Sequence, residues 1–487
     1  MRKWAKITTW VAGATVISAG IIALPFSLSM VGTSEFVFGN FQSYMSTDVM
    51  DQLQNEYDVN WQYYATNAEI PTYIKNKTLD AAVASNNMIA QLAVEGEIQP
   101  IQWQRFGLKY EDPKTRTIKN VETYKDMQYI VSPVTWELCS TLAKEAHLPG
   151  GDEANLLEYC IPYFMQDFVF AYRGPKIEQL ADDASFYDIF NYITNKSIPN
   201  NPFLAKNSSV MMIKDARTTY DVAKLIEAKR NNVPEDKIQI NPDKKSWLVA
   251  DEKNSGYAPS IQSITNTYKN ISDYYANSGN RNAITFNSDS GIVLNKLASN
   301  EIKGAFLYNG DAVYAAAGGD VSNGGQNLPE FGDDITNPEN EFHVIIPKDN
   351  LVAMDGIVFN SSLSGKKLDE AYDLAYQISL SGLNPGDDLN AKVDDEYKYL
   401  SVRNFDFVNY TPCYSKLLTF AKNDYFGISN SKEDKPENSE PQTMEELQWK
   451  LMNISSENAK PGRIEVPVNN LTESNINIAF ENFINEV

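Results

Sequence analysis

The chain has 487 residues, too many for one ordinary domain and enough for two lobes of roughly 150–200 residues with extra segments. Hydrophobic residues make up 43% and charged residues 22%, so enough apolar surface exists to offset ordering entropy and wholesale disorder is excluded. The 64 acidic and 42 basic residues give a formal charge of −22, which excludes a phosphate-backbone footprint and docking onto anionic lipid by charge, while a cationic solute remains compatible.

At the N-terminus, Arg2, Lys3 and Lys6 precede a charge-free run from Ile7 to Ser34, long enough to cross a bilayer core of about 30 Å as a helix. The basic flank predicts an inside N-terminus, with everything from Glu35 outside. The run is long for a cleaved secretory signal and shows no clear small-x-small cleavage site, so an uncleaved anchor is favoured over a signal peptide. No cysteine precedes Cys139, so a lipoprotein is not expected.

EFVFGNFQSYM reads as a buried strand ending near Asn40, followed by a helix through STDVMDQLQNEYD, a second strand VNWQYYAT and a short helix in AEIPTYIKN. LDAAVASNNMIAQLAVEG reads as a strand running into a helix that ends at Gly96. Strand–helix alternation implies an α/β sandwich with a largely parallel sheet, whose ligand site lies at the carboxyl ends of the strands. That rule points to Phe41–Tyr44 and Ser85–Asn87. Residues 98–158 read as an irregular, helix-containing stretch, and CIPYFMQDFVFAYRG as extended chain crossing between lobes. SVMMIKDARTTYDVAKLIEAKRNN and AITFNSDSGIVLNKLASNEIKGAFLYNGDAVYAAAGGD supply further strand–helix pairs. FHVIIPKDNLVAMDGIVFN gives two strands, KLDEAYDLAYQISLSG a helix, and the charged, proline-bearing stretch near 429–441 a solvated loop before two closing helices. The expected division is 1–34 as signal or anchor, 35–163 with 311–360 as lobe 1, and 164–310 with 361–487 as lobe 2.

Chemistry-bearing patterns are few. Cys139, Cys160 and Cys413 are too scattered for a disulfide framework or zinc site, so no metal or cofactor is expected. With His147 and His343 as the sole histidines, histidine-based catalysis has little material, and no phosphate-binding G-x-x-x-x-G-K-[ST] loop, H-E-x-x-H or G-x-S-x-G occurs. No catalytic residue is assigned.

The collinear order of short motifs from Glu35 to Lys422 resembles the bacterial spermidine/putrescine-binding proteins. Phe41, Gln42 and Tyr44 match the end of that family's first strand, and Asp80, Val83, Ala84 and Ser85 its D-x-x-V-P-S. Asp215-Ala216-Arg217 matches its D-A-R loop, Phe286 to Asp289 its F-N-S-D, and Tyr308-Asn309-Gly310-Asp311 its aromatic-x-G-D turn. Pro347, Lys348 and Asp349 with Asp355 resemble its P-K-E-G and following aspartate, and Asn409, Tyr410 and Pro412 its G-Y-x-x-P. The sequence departs from that pattern at Phe41, Thr218 and Ala353, where the family often has tryptophan, glutamate and an aromatic residue, and at Met165 and Gln166, where it has tryptophan and glycine.

The resemblance implies a two-lobed periplasmic-binding-protein (venus-flytrap) fold behind the N-terminal membrane segment, and a non-enzymatic role. The chain would capture a polyamine for an ABC permease powered by a separate ATPase. It further implies that Asp311 and Asp355 grip an ammonium group, that Phe41, Tyr44 and Tyr308 form an aromatic box, and that Ser85 and Asp215 add polar contacts. Such a ligand needs carboxylates for charge-assisted hydrogen bonds and ring faces for cation–π contact. Each residue has a plainer reading: Asp311 and Asp215 as helix caps, Asp355 as part of an Asp-Gly hairpin turn, Phe41 and Tyr44 as core aromatics. Two other functions stay open, a surface-anchored protein of the same fold without solute binding and an exported hydrolase using two carboxylates.

Overall fold

The computed structural model describes residues 35–42, 44–204, 210–242, 258–278, 284–299, 301–316, 342–428 and 443–486. The expected membrane segment 1–34 and the polar loop 429–441 lie outside them; among the described residues no helix is long and apolar enough to cross a membrane.

The first elements are β1 (Phe36–Phe41), α1 (Thr47–Tyr57), β2 (Val59–Tyr64), α2 (Ile70–Lys75), β3 (Ala81–Ser85) and α3 (Asn86–Glu95). Helix α1 stops at Asp58 and α3 at Gly96, both in the left-handed region with φ of 54° and 73°, the usual way a chain leaves a helix. A hairpin of β4 (Lys109–Glu111) and β5 (Ile118–Asn120) and then α4 (Pro133–Glu145) lead to β6 (Ile161–Arg173). Beyond it come α5 (Phe186–Ile193), β7 (Val210–Ile213), α6 (Ala216–Arg230), α7 (Ile261–Ser278), β8 (Ile284–Asn287), α8 (Ser290–Ala298), β9 (Gly304–Tyr308) and α9 (Asn309–Ala316). The chain continues through β10 (Phe342–Ile345), β11 (Val352–Phe359), α10 (Gly365–Ala375), β12 (Lys392–Val393), β13 (Glu396–Tyr397), α11 (Leu400–Val408), β14 (Thr411–Pro412) and α12 (Ser415–Phe420). It closes with α13 (Met444–Met452) and α14 (Asn470–Glu486).

The main sheet runs β2-β1-β3-β11-β6-β9-β7-β8, with β10 and β14 also paired to β6. Two parallel triplets, β2-β1-β3 and β8-β7-β9, flank antiparallel strands at the centre, so the sheet is mixed rather than largely parallel. The 13-residue β6 belongs to both groups: Ile161–Asp167 pairs with β11, and Phe168–Tyr172 with β9. Its near-continuous burial matches a strand covered on both faces.

The lobe boundaries differ from those expected. Segment 361–428 packs with the first strand group: α10 and α11 contact α1, and Lys367 of α10 pairs with Asp80 at 2.7 Å, the same carboxylate oxygen that accepts Val37 N–H. Conversely, α9 packs on α8 and β9, and β10 pairs with the far half of β6, so Asn309–Ala316 and Phe342–Ile345 stay with the second group. The crossing into the first group comes only at β11. Hydropathy alone cannot reveal this, because strands of either group carry the same apolar pattern.

Where β6 changes partner, polar side chains replace the missing ladder. Asn309 Oδ1 accepts Asp167 N–H at 3.2 Å, Asn350 Oδ1 accepts Phe168 N–H at 3.0 Å, and Asn350 Nδ2 donates to Asp167 Oδ2 at 3.0 Å. All three side chains are buried. Asn350→Ala leaves the Phe168 N–H and the Asp167 carboxyl without these partners and should cost about 2–4 kcal/mol, read from denaturant unfolding.

Candidate functional site

The carboxyl ends of β1 and β3 deliver Phe41, Tyr44 and Ser85 to one place, and β11 brings Asp355 beside them in register with Ser85 and Phe164. Asp355 lies inside a strand, not in a hairpin turn, and is 2% exposed. A register shift between Asp355 and Gly356 sets Tyr163 opposite no partner. Such a bulge re-aims a side chain, and the Tyr163 hydroxyl donates to Tyr44 carbonyl at 2.6 Å and accepts from Asn404 Nδ2 at 2.8 Å.

The Asp355 carboxylate accepts three hydrogen bonds: from Ser85 Oγ at 2.6 Å, Tyr44 hydroxyl at 2.8 Å and Gln166 Nε2 at 3.2 Å. Burial still pushes its pKa up to about 6, against the opposing effect of the Ser85 and Tyr44 bonds. Burial, then the Asp355 charge, hold the Tyr44 phenol well above its ordinary value, so it stays a donor. Among the described residues no lysine, arginine or histidine forms an ion pair with Asp355.

Rings surround this carboxylate. Tyr44 stands edge-on to Phe41, Tyr163 and Tyr410, with centroids 6.1, 5.2 and 5.4 Å away, within the range of favourable aromatic pairs. The Tyr410 ring lies directly on the backbone of Gly310, where a Cβ would stand 2.6 Å from its Cγ. The glycine of the Tyr308–Asp311 turn is therefore a packing requirement. One residue on, in the first turn of α9, Asp311 has its pKa pushed up to about 7 by burial, with hydrogen bonding from Tyr410 and Ser290 opposing and the Asp289 charge adding. Its Oδ2 has no partner.

Asp215 is placed otherwise. It N-caps α6, accepting Thr218 N–H at 2.7 Å, and Thr218 Oγ1 in turn stands 3.3 Å from the Tyr308 hydroxyl. Arg217 is committed to Asp221 at 3.2 Å and to Asn241, so it offers no free guanidinium to an acidic ligand. Asp289 caps α8. Thus Tyr44, Ser85 and Asp355 touch one another, Phe41 joins by ring contact, Asp311 and Tyr308 adjoin through Tyr410, and Asp215 is held by its capping bond. Gln166 belongs to the cluster although sequence reading treated it only as a departure, and Tyr163, which was given no role, belongs to it as well.

An α/β architecture of two parallel triplets joined by shared central strands is the fold of the periplasmic-type binding proteins. Comparison with solved structures agrees: a structure from Listeria monocytogenes described as a spermidine/putrescine ABC transporter aligns with a TM-score of 0.50 at 14% identity, covering 93% of this chain and 99% of that one. The spermidine/putrescine substrate-binding protein PotD of Streptococcus pneumoniae aligns at 0.47 and 12% identity, over 93% and 98% of the two chains. The TpPotD lipoprotein of Treponema pallidum aligns at 0.47 and 12%, over 92% and 99%. At these identities the likeness is one of fold. The chain belongs to the family described as hypothetical lipoprotein (MG045 family), whose model matches residues 1–461. A comparison with curated protein sequences gave no match. The family's description runs against the expectation of a non-lipidated chain, yet the first cysteine is Cys139, fully buried in α4 and no attachment point for lipid in the folded protein.

Three buried carboxyls, Asp355, Asp311 and Asp167, have folded-state pKa values of about 6, 7 and 8 against an ordinary 3.8. A raised carboxyl binds its proton more tightly folded than unfolded, so its stabilising contribution is complete below pH 4 and lost as pH rises through the folded value. These groups should make the ligand-free protein lose stability between about pH 4 and 8. Asp355→Asn and Asp311→Asn should each flatten that slope in urea melts run across the range.

Proposed function

We propose that this chain is the extracytoplasmic solute-binding component of an ABC importer and that it captures an organic ammonium ion, of the polyamine kind, between its two strand groups. The bound form would be handed to a membrane permease driven by a separate ATPase, with Ile7–Ser34 holding the chain at the membrane. One observation carries the ligand class: Asp355 is buried, bonded by the Tyr44 phenol against which Phe41, Tyr163 and Tyr410 pack edge-on, and without a cationic partner among the described residues. A carboxylate so desolvated is costly unless a cation joins it. An alkylammonium supplies charge-assisted hydrogen bonds to Asp355 and apolar methylenes to the rings, and the surrounding aromatic faces favour its charge. Asp311, with an unpartnered Oδ2, fits a further contact. Arg217 is tied to Asp221 and Asn241, which disfavours an acidic sugar or phosphate at this position.

Thermal-shift and calorimetric titration with putrescine and spermidine test the reading. Either amine should stabilise the protein, by about 2.7 kcal/mol at a hundredfold excess over Kd. Asp355→Asn should weaken binding by about 1.5–3 kcal/mol, the scale of one charged hydrogen bond. Because the ammonium pairs with the ionised carboxylate, affinity should fall as pH drops below about 6, the value to which Asp355 is raised. A shift with sugars or anions and none with any amine would overturn the ligand class.

A further inference from the structure

The segment between α13 and α14 crosses from one strand group to the other. It leaves α13, which packs on α9 and whose Gln448 Nε2 donates to Val313 carbonyl at 3.2 Å. It then reaches α4, where Ala459 carbonyl accepts from Thr141 Oγ1 at 3.3 Å and Gly462 N–H donates to Glu145 Oε2 at 3.1 Å. From there it returns to the second group: Gly462 carbonyl accepts Ile240 N–H at 3.0 Å, Ile464 carbonyl accepts Asn241 Nδ2 at 2.9 Å, and Val466 N–H donates to Asn241 Oδ1 at 2.9 Å. Helix α14 finally packs on α6 and α7.

Glu465 sits at the middle of the return. Its Oε2 accepts from Asn87 Nδ2 at 3.0 Å, and Asn87 lies two residues beyond Ser85, the partner of Asp355. The neighbouring Val466 carbonyl accepts from Arg217 Nη1 at 3.4 Å, beside the α6 cap that positions Thr218 against Tyr308. The side chain is thus placed between the start of α3 and the start of α6, the two ends that frame the site described above.

Resting on the solute-binding reading, we propose that Glu465 is a further ligand carboxylate, carried into the site by this crossing segment, and that it sets a preference for a cation with two ammonium groups. Asp355 belongs to the first strand group, whereas Glu465 is seated against the second, so a single ammonium satisfies one of them and a diamine both. The Tyr308 phenol registers both sides: after burial, the charges of Asp215, Glu465 and Asp355 raise its pKa together. The groups facing Glu465 are Arg217, Asp221 and Asp215, with Asn87 its neutral partner. Burial, with the neighbouring Glu465 charge adding to it, raises Asp221, whose Oδ2 has no hydrogen-bond donor among the described residues, so the two adjoin as a carboxyl pair that retains a shared proton, and Arg217 offsets the remaining charge. Asp215 and Asp355 have no ion-pair partner among the described residues, and a second ammonium entering beside Glu465 takes the place of the shared proton.

Calorimetric titration of the full chain with putrescine and with butylamine, in buffers of different ionisation enthalpy, tests this. Glu465→Gln keeps an oxygen acceptor for Asn87 but removes the charge; it should weaken putrescine at least tenfold, leave butylamine within twofold, and reduce the proton release on putrescine binding to that seen with butylamine. Asn87→Ala, which breaks the cross-group bond while keeping the charge, should leave the putrescine-to-butylamine ratio near that of the wild type. Putrescine binding unchanged in Glu465→Gln, equal weakening of both amines, or a ratio collapse in Asn87→Ala would each reduce Glu465 to a structural tie and overturn the proposal, with the solute-binding reading left standing. Failure of the wild type to bind either amine would overturn both.

Discussion

Strand β6 is hydrogen-bonded into both halves of the main sheet, and the hydrogen-bonded ladder of one half is continued into the other through it. Its first seven residues form a ladder with β11, the next five with β9, and the exchange falls between Asp167 and Phe168. A ladder that changes partner leaves backbone groups unpaired, and in a dry interior each such group carries a penalty comparable to a lost hydrogen bond. Asn309 and Asn350 remove that penalty with side-chain amides, each able to donate and accept at once. Asn309 also ties α9 to Thr411 and to Leu451 carbonyl, joining β14 and α13 to the same knot. The exchange point is thus held by side-chain amide hydrogen bonds inside a continuous apolar core.

The site stores unfavourable electrostatics. Asp355 and Asp311 sit among tyrosines whose hydroxyls satisfy hydrogen bonds but bring no positive charge, so the hydrogen bonds lower their pKa values less than burial raises them. Replacing either with leucine would relieve the folded chain, and a purely structural role would favour that outcome. Retained carboxylates without counter-charge define a place where a cation is worth more than in water, because solvent is already displaced and the dipoles are already aimed. Tyr44 links the two aspects, donating to Asp355 while stacking edge-on against Tyr410.

Much of the local structure was legible in the sequence because its causes are local. The glycine after α3, the Ser85–Asn86 strand-to-helix junction and the caps at Asp215 and Asp289 each follow from a residue and its near neighbours. Tyr44 and Ser85 were legible from the strand-end rule, but the joining of Asp355 to them was legible only through resemblance, since it lies 311 positions from Tyr44. Lobe membership of 361–428 was not legible, because nothing in the apolar pattern of α10 says which group it covers; the decisive contact is one ion pair, Lys367 with Asp80. Gln166 was read only as a departure from the family's glycine, although its amide reaches Asp355. Glu465 lies in a segment of low periodicity that no motif marks.

The placement of β11 has a bearing on synthesis. The first strand group is complete only when Ala81–Ser85 meets Asp355–Phe359, and between them the whole second group is inserted. A nascent chain exposes β1 to β3 long before β11 exists to cover them, and contacts so distant in sequence form slowly. The open edge of β3 therefore stays unpaired until residues 355–359 have been made.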